Sequence, residues 1–304
     1  MKDARAVVAD HVRHEATTAR TFGDYFALTK PRLNVLVVAT SAAGYYLGAA
    51  STAALDLPAM ASAVAGTALV AGGAAALNQV YERDTDALMR RTRMRPLPDG
   101  RVTSADARLF GLLLSAAGLA LLGARANLLA AALALATLVV YLIIYTPMKR
   151  RSPMATLVGA VPGALPPLIG WVASHGRLTM GGGALFLIVF LWQIPHFMAI
   201  AWMYRDDYGK AGFPMLPVIE PDGRRTGRQA VGYAAALVPA SLIPTLVGLS
   251  GLVYAAVALV LGAALLCLAL RFAATRSDSS ARWLFLASIT YLPLLWIVMM
   301  VNKL

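Results

Sequence analysis

Asn78, Glu82 and Asp86 carry side-chain oxygens and follow one another at intervals of four residues, where an apolar run gives way to a charged segment. At about 100° per residue they fall within roughly 80° of one another on a helix, forming one stripe, whereas Asp84 points elsewhere. Two carboxylates and an amide oxygen suit Mg²⁺, which takes one or two carboxylates and completes its shell with substrate phosphates. Acids at a helix carboxyl terminus oppose the macrodipole by about 0.3–1 kcal/mol each, so this placement calls for a positive partner. Arg90, Arg91, Arg93 and Arg95 follow at once and offer planar donors to a diphosphate or to carboxylates. The plainer alternative is a solvated connection whose acids and arginines neutralise one another.

Other polar groups stand at the ends of apolar runs. Tyr145 and Lys149 are again four apart, unless Pro147 ends the helix first. With Arg150 they could hold a diphosphate, or serve as an interfacial tyrosine with snorkelling cations. His196, in Trp192-Gln193-Ile194-Pro195-His196-Phe197, lies inside an apolar run some two turns before Asp206 and Asp207. Polar groups within a membrane are functional candidates by default, although a hydrogen bond to a neighbouring helix would also account for this one. Lys30 and Arg32 flank Pro31, with Asn34 just beyond, at the entry to the first apolar run. A cationic anchor with proline in the first helical position explains them structurally.

The composition dictates the elements that carry these groups. Of 304 residues, 59% are apolar and 14% charged, little more than half the charge a soluble domain carries. That excludes a cytosolic enzyme, a disordered chain and a secreted disulfide scaffold. Cys267 is alone in an apolar run, so no disulfide or zinc framework exists. About 20 apolar residues cross the hydrocarbon layer as a helix, and nine runs qualify: 33–50, 59–80, 107–124, 127–145, 154–173, 181–204, 230–249, 252–272 and 283–301. The expected fold class is an all-α polytopic membrane protein of about nine transmembrane helices. The third and fourth spans, and the seventh and eighth, form tight hairpins.

With the amino terminus inside, 24 of the 27 lysines and arginines fall on one side, leaving Arg125, Arg177 and Lys303 outside. This is a strong positive-inside signal, and it accounts for the net charge of +12 without nucleic acid. Fourteen of the fifteen acids share that side, with Asp56 the exception. The chain divides into a cytoplasmic amino-terminal arm, 1–32, and one transmembrane domain, 33–304, whose charged loops 81–106 and 205–229 carry the function. Residues 1–30 lack the apolar core of a signal peptide, and their four acids argue against a mitochondrial presequence. The expected location is a bacterial cytoplasmic membrane.

The string Asn78-x-x-x-Glu82-x-x-x-Asp86 resembles the first aspartate-rich motif of the UbiA-type intramembrane prenyltransferases, with Glu82 where Asp is usual. The continuation Asp86-x-x-Met89-x-Arg91-Thr92-x-x-Arg95-Pro96-Leu97 is similar to the branch that farnesylates protoheme. Tyr145-Thr146 with Lys149-Arg150, Gly163-Ala164-x-Pro166-Pro167-x-x-Gly170-Trp171, Gln193-x-Pro195-His196-Phe197 and Thr29-Lys30-Pro31-Arg32-x-Asn34 resemble it too. In the second acidic segment the wider family often has Asp-x-x-x-Asp; here Lys210 and Ala211 stand four residues after Asp206 and Asp207, and the string 206–217 follows the protoheme branch instead.

The resemblance implies a UbiA-type helical bundle that moves a farnesyl group from farnesyl diphosphate to a vinyl group of heme b, with water added, giving heme O and diphosphate. It implies Mg²⁺ held by Asn78, Glu82, Asp86 and one of Asp206 and Asp207, with Arg91, Arg95 and Lys149 stabilising the leaving group. Lys30, Arg32, Asn34, Tyr145, Arg150, Trp192 and Gln193 would line the substrates. His196 would contact the porphyrin, handle a proton near it, or ligate its iron. The product implies a downstream heme A synthase or terminal oxidase assembly. Two rivals are a relative acting on an aromatic acid or quinone precursor, and a transporter. The transporter predicts ionisable groups at the bilayer midplane, where this chain has few.

Overall fold

The computed structural model describes residues 21–51 and 55–304. Lys2, Arg5, Arg13 and Arg20 of the expected amino-terminal arm lie outside the described residues. A short helix α1 (Phe22–Leu28) leads into α2 (Pro31–Gly48), α3 (Leu57–Leu88), α4 (Ser104–Arg125), α5 (Leu128–Met148), α6 (Ala155–His175) and α7 (Met180–Met203). Two short helices, α8 (Arg205–Lys210) and α9 (Leu216–Ile219), precede α10 (Arg224–Ala240), α11 (Ile243–Leu246), α12 (Leu252–Thr275) and α13 (Asp278–Val301). No strand occurs among the described residues; a lone bridge joins Ser250 to Lys303.

Among the described residues, eight helical segments are long and apolar enough to cross a membrane, matching the second to ninth expected spans. The expected first span is α2, whose 18 residues include Arg32, Asn34, Thr40 and Ser41. Those polar side chains lower its hydropathy below that of the other eight, and it packs along α6 instead of standing alone. The protein is an all-helical, multi-pass membrane protein.

Small residues let the bundle close. A Cβ on Gly170 of α6 would collide with the Ser41 carbonyl of α2, and one on Gly44 would strike the Pro167 carbonyl. Such contacts replace the hydrophobic drive that lipid does not supply between helices. Although Pro162, Pro166 and Pro167 would permit a break, α6 runs through them as one helix. It and α7 are the most enclosed spans, while α5 turns most of its surface outward.

Charge gathers at one end. There α3 continues beyond the apolar run as a 32-residue helix, so the oxygen stripe stays helical. The following segment is far from a free loop. Met89 buries itself with Tyr208 and Phe213, and Leu97 with Leu28, Ala76 and Ala107. α1, expected as part of a plain arm, docks here as well, where the Gln79 amide donates to the Leu28 carbonyl at 2.7 Å and Asp24 pairs with Arg101.

Candidate functional site

Asn78, Glu82 and Asp86 are buried, with 1%, 7% and 1% of their surface exposed, whereas Asp84 is exposed. Burial of carboxylates demands partners, and each of the three residues has one oxygen bonded to a cation from a different part of the chain. The Lys30 ammonium donates to Asn78 Oδ1 at 3.1 Å. Lys149 Nζ donates to Glu82 Oε1 at 2.7 Å, and Arg95 Nη1 to Asp86 Oδ2 at 2.7 Å. Asn78 Nδ2 donates to Thr146 Oγ1 at 3.1 Å, which fixes the amide with its oxygen toward Lys30. Asp86 Oδ1 is buried without a hydrogen-bond partner.

Local backbone devices set these cations. Lys30 sits in the left-handed region, at φ 49°, directly before Pro31. A non-glycine residue there costs about 1–2 kcal/mol, and the conformation turns α1 into α2 with the lysine beside α3. On α5 the backbone widens into a π turn over Val140–Tyr145 and then continues through Pro147. Such turns recur at functional sites. The helix therefore does not end at the proline: the Lys149 amide still bonds the Tyr145 carbonyl at 3.0 Å, and its ammonium lies 5.3 Å from the Tyr145 ring. After α3, tight turns bring Arg95 back to Asp86, and Thr92 Oγ1 donates to the Asp86 carbonyl at 2.7 Å.

The electrostatics of the two lysines differ. Burial, and then repulsion from Arg95, push the Lys30 ammonium down to about 8. Burial would also push Lys149 down, but the Tyr145 phenol and the Glu82 carboxylate outweigh it and raise its pKa above that of a free lysine.

Next to this cluster lies a cavity of about 450 Å³, within the usual size range of ligand pockets. Lys30, Asn34, Arg91, Tyr145, Lys149 and Tyr208 form its polar end. Val70, Ala74, Pro162, Pro166, Ile169 and Phe197 line the mostly apolar remainder, into which Thr67, Thr137, Tyr141, Thr156, Gln193 and His196 bring polar atoms. Lys30 and Lys149 line the wall and the oxygen stripe stands behind them. Arg91 reaches the cavity by lying over the Tyr204 and Tyr208 rings and donating to the Tyr208 hydroxyl at 2.8 Å. A second hollow of about 350 Å³ opens beside Glu82, Tyr81, Arg150 and Arg151.

Most expected residues therefore meet: Lys30, Asn34, Asn78, Glu82, Asp86, Arg91, Arg95, Tyr145, Lys149, Gln193 and His196. Others stand apart. Arg32 is exposed and off the cavity, and Arg150 faces the second hollow. Trp192 is buried beneath His196 at a ring distance of 5.1 Å. On α8, Asp206 is exposed and Asp207 partly so, and neither lines the cavity. No three His, Cys, Asp or Glu side chains gather into a metal cluster among the described residues. A cage made of protein alone is thus not built here. The unpartnered Asp86 Oδ1 and its neighbours do fit an ion that shares its shell with phosphate oxygens.

Sequence reasoning missed Thr146, Tyr208 and Ser288. Tyr208 and Thr146 lay inside quoted strings, but their roles depend on which helix they face. Ser288 sits in an unremarkable apolar span, and nothing in its spacing signals it.

The pattern of the UbiA prenyltransferase family matches residues 36–292. The chain belongs to the UbiA prenyltransferase family. Among its UbiA-family relatives, the protoheme IX farnesyltransferase of Solibacter usitatus is 46% identical over 287 residues, covering 92% of this chain and 98% of that one. The protein of the same name from Koribacter versatilis is 47% identical over 291 residues, with 92% and 93% covered. Two solved structures share the fold. A digeranylgeranylglyceryl phosphate synthase superposes with a TM-score of 0.78 at 16% identity, over 92% of this chain and 97% of that one. A UbiA homolog from Archaeoglobus fulgidus bound to GPP and Mg²⁺ does so with 0.63 at 18%, over 91% and 99%.

Proposed function

We propose that this UbiA-family chain is a protoheme farnesyltransferase: it moves a farnesyl group from farnesyl diphosphate to a vinyl group of heme b, adds water, and releases diphosphate. The observation that carries this reading is a cavity with a cationic end beside buried metal-type oxygens and an apolar body that suits a prenyl chain. The curated relatives named above choose the acceptor among the members of the family.

In this reading Lys30, Lys149 and Arg91 meet the diphosphate at the cavity end. Asn78, Glu82 and Asp86 hold Mg²⁺ which, when bound, supplies positive charge to the diphosphate oxygens as the carbon–oxygen bond breaks. In the ligand-free protein the cations neutralise those oxygens; with substrate present, their donors turn to phosphate. The bond between farnesyl C1 and oxygen breaks with its electron pair leaving on diphosphate. The apolar walls keep water from the allylic cation, and the Tyr145 and Phe197 rings offer it their faces. The vinyl carbon then bonds C1, leaving a cation beside the porphyrin ring that water captures.

Asp206 and Asp207 are proposed to add negative potential at the rim and not to ligate the ion. The transmembrane domain is proposed to span residues 33–304, with its charged end facing the cytoplasm of a bacterium. The 24-to-3 distribution of basic residues supports that orientation. The product would pass to a heme-modifying or oxidase-assembly step. Purified protein incubated with heme b, farnesyl diphosphate and Mg²⁺, followed by mass spectrometry, tests the activity. Heme O should form, and a product built on an aromatic acid or quinone precursor in its place would redirect the assignment.

A further inference from the structure

His196 lines the same cavity, and its ring is held on three sides. Trp192 stacks on it at 5.1 Å and 19°, and Phe285 of α13 at 5.1 Å and 24°. Its Nδ1 lies 2.8 Å from Ser288 Oγ, also on α13. The same Ser288 hydroxyl lies 2.6 Å from the Phe285 carbonyl oxygen. That carbonyl can only accept, and a serine has one proton to give. Both contacts are satisfied together only if Ser288 donates to Phe285 and His196 donates its Nδ1 proton to Ser288. Nε2 is then the nitrogen with the free lone pair. It makes no hydrogen bond among the described residues.

One turn away, both amide hydrogens of Gln193 are taken by the Ala160 and Val189 carbonyls, at 3.1 Å each. Its Oε1 is left as an acceptor, seated against Gly163, where a Cβ would collide with it. Two nitrogen- and amide-type acceptors with their donors already used thus sit side by side in the lining, whose Thr67 and Thr137 hydroxyls are turned to carbonyls of their own helices. Their chemistry selects a ligand that donates protons.

Building on the function proposed above, we infer that His196 is the base for the water-addition half of the reaction, with Gln193 helping to hold that water. After the vinyl carbon bonds farnesyl C1, the water oxygen gives its lone pair to the cation beside the porphyrin. A carbon–oxygen bond forms, the water O–H bond breaks, and the proton goes to His196 Nε2. From there it leaves with the diphosphate or into bulk solvent. No oxidant or reductant is required. Ser288 is a positioning residue: it fixes the tautomer that leaves Nε2 able to accept.

The test compares heme products and kinetics of wild type, His196→Gln, Ser288→Ala and Ser288→Thr in lipid nanodiscs. General-base catalysis contributes about 100- to 10,000-fold, so His196→Gln should lower kcat by about 100-fold or more with KM for farnesyl diphosphate unchanged. The residual product should shift toward the farnesylated alkene, lighter by one water, because the cation loses a proton instead of gaining hydroxide. Ser288→Ala should shift the product the same way to a smaller extent, and Ser288→Thr should restore it. Unaltered kcat and hydroxylated product in His196→Gln would overturn the base assignment while leaving the farnesyl transfer intact. So would a heme Soret shift seen in wild type and lost in His196→Ala with a matching loss of heme affinity, which would make His196 an iron ligand. No farnesylated porphyrin from the wild-type protein would overturn the functional reading and this inference together.

Discussion

The chain has two acidic segments at the same end of the bundle, and they are built differently. At the end of α3, Glu82 and Asp86 are buried, each in an ion pair with a residue from another part of the chain. On α8, Asp206 and Asp207 lie at the surface, and neither makes an ion pair among the described residues. In sequence the second pair looks the more acidic, being adjacent. Burial, not local charge density, marks the difference. A carboxylate kept out of water needs a compensating cation, and in the proposed function those charges rearrange around a diphosphate and a metal.

This contrast yields its largest prediction when both segments are mutated in parallel. Asp86→Ala should lower heme O formation by about 100- to 1000-fold, the scale of removing one transition-state electrostatic group. Asp206→Ala and Asp207→Ala should each cost less than about tenfold, since screened surface charges act weakly. Turnover assays on protein of matched folding decide between them, and equal losses from both segments would erase the distinction. Next in size, Lys149→Ala removes the partner of Glu82 and the proposed diphosphate contact together. Loss of a buried partner costs about 3–5 kcal/mol. Thermal unfolding in detergent should therefore fall along with activity, and the double variant with Glu82→Gln should recover much of the stability and none of the activity.

A third prediction concerns Lys30, which the burial of its ammonium and the nearby Arg95 hold down to about 8. Below that pH the ligand-free site carries the charge that attracts diphosphate. Above it, binding must first recover a proton, so affinity should fall as pH rises, by up to about tenfold per unit. Isothermal titration on either side of pH 8 should show the slope, and Lys30→Arg, always charged, should flatten it. The smallest effect is expected at the bridge between the two segments. Tyr208→Phe removes the hydroxyl that holds Arg91 and should raise KM for the diphosphate by roughly fivefold, the worth of about 1 kcal/mol of hydrogen bonding, with kcat nearly unchanged.

The sequence made the oxygen stripe readable because a four-residue interval on a helix is a geometric statement by itself. Hydropathy likewise revealed the spans, since a membrane helix has a fixed length and composition. The first of them, α2, is the least apolar: its Ser41 bonds Thr67 of α3 and its Asn34 lines the cavity. Within the arm 1–32 the sequence singled out Lys30, which does line the cavity, but gave no sign that α1 docks through Leu28 and Asp24. The ion pair from Lys149 to Glu82 and the hydrogen bond from Lys30 to the Asn78 amide were out of reach, because they join segments whose relative rotation no spacing rule gives. Ser288 was hidden for the same reason. A serine in an apolar span reads as filler until a histidine on another helix is found against it.

The central claim is that buried oxygens on α3 grip the diphosphate through Mg²⁺ while lysines take its remaining charge. The most direct measurement is the affinity of a non-reactive farnesyl thiodiphosphate analogue, with Mg²⁺ and with the ion chelated, for wild type and Asp86→Asn. Wild type should bind at least about tenfold more tightly with Mg²⁺, as expected when the ion links protein and phosphate oxygens, and Asp86→Asn should lose most of that difference. Equal binding by wild type with and without the ion would contradict the account.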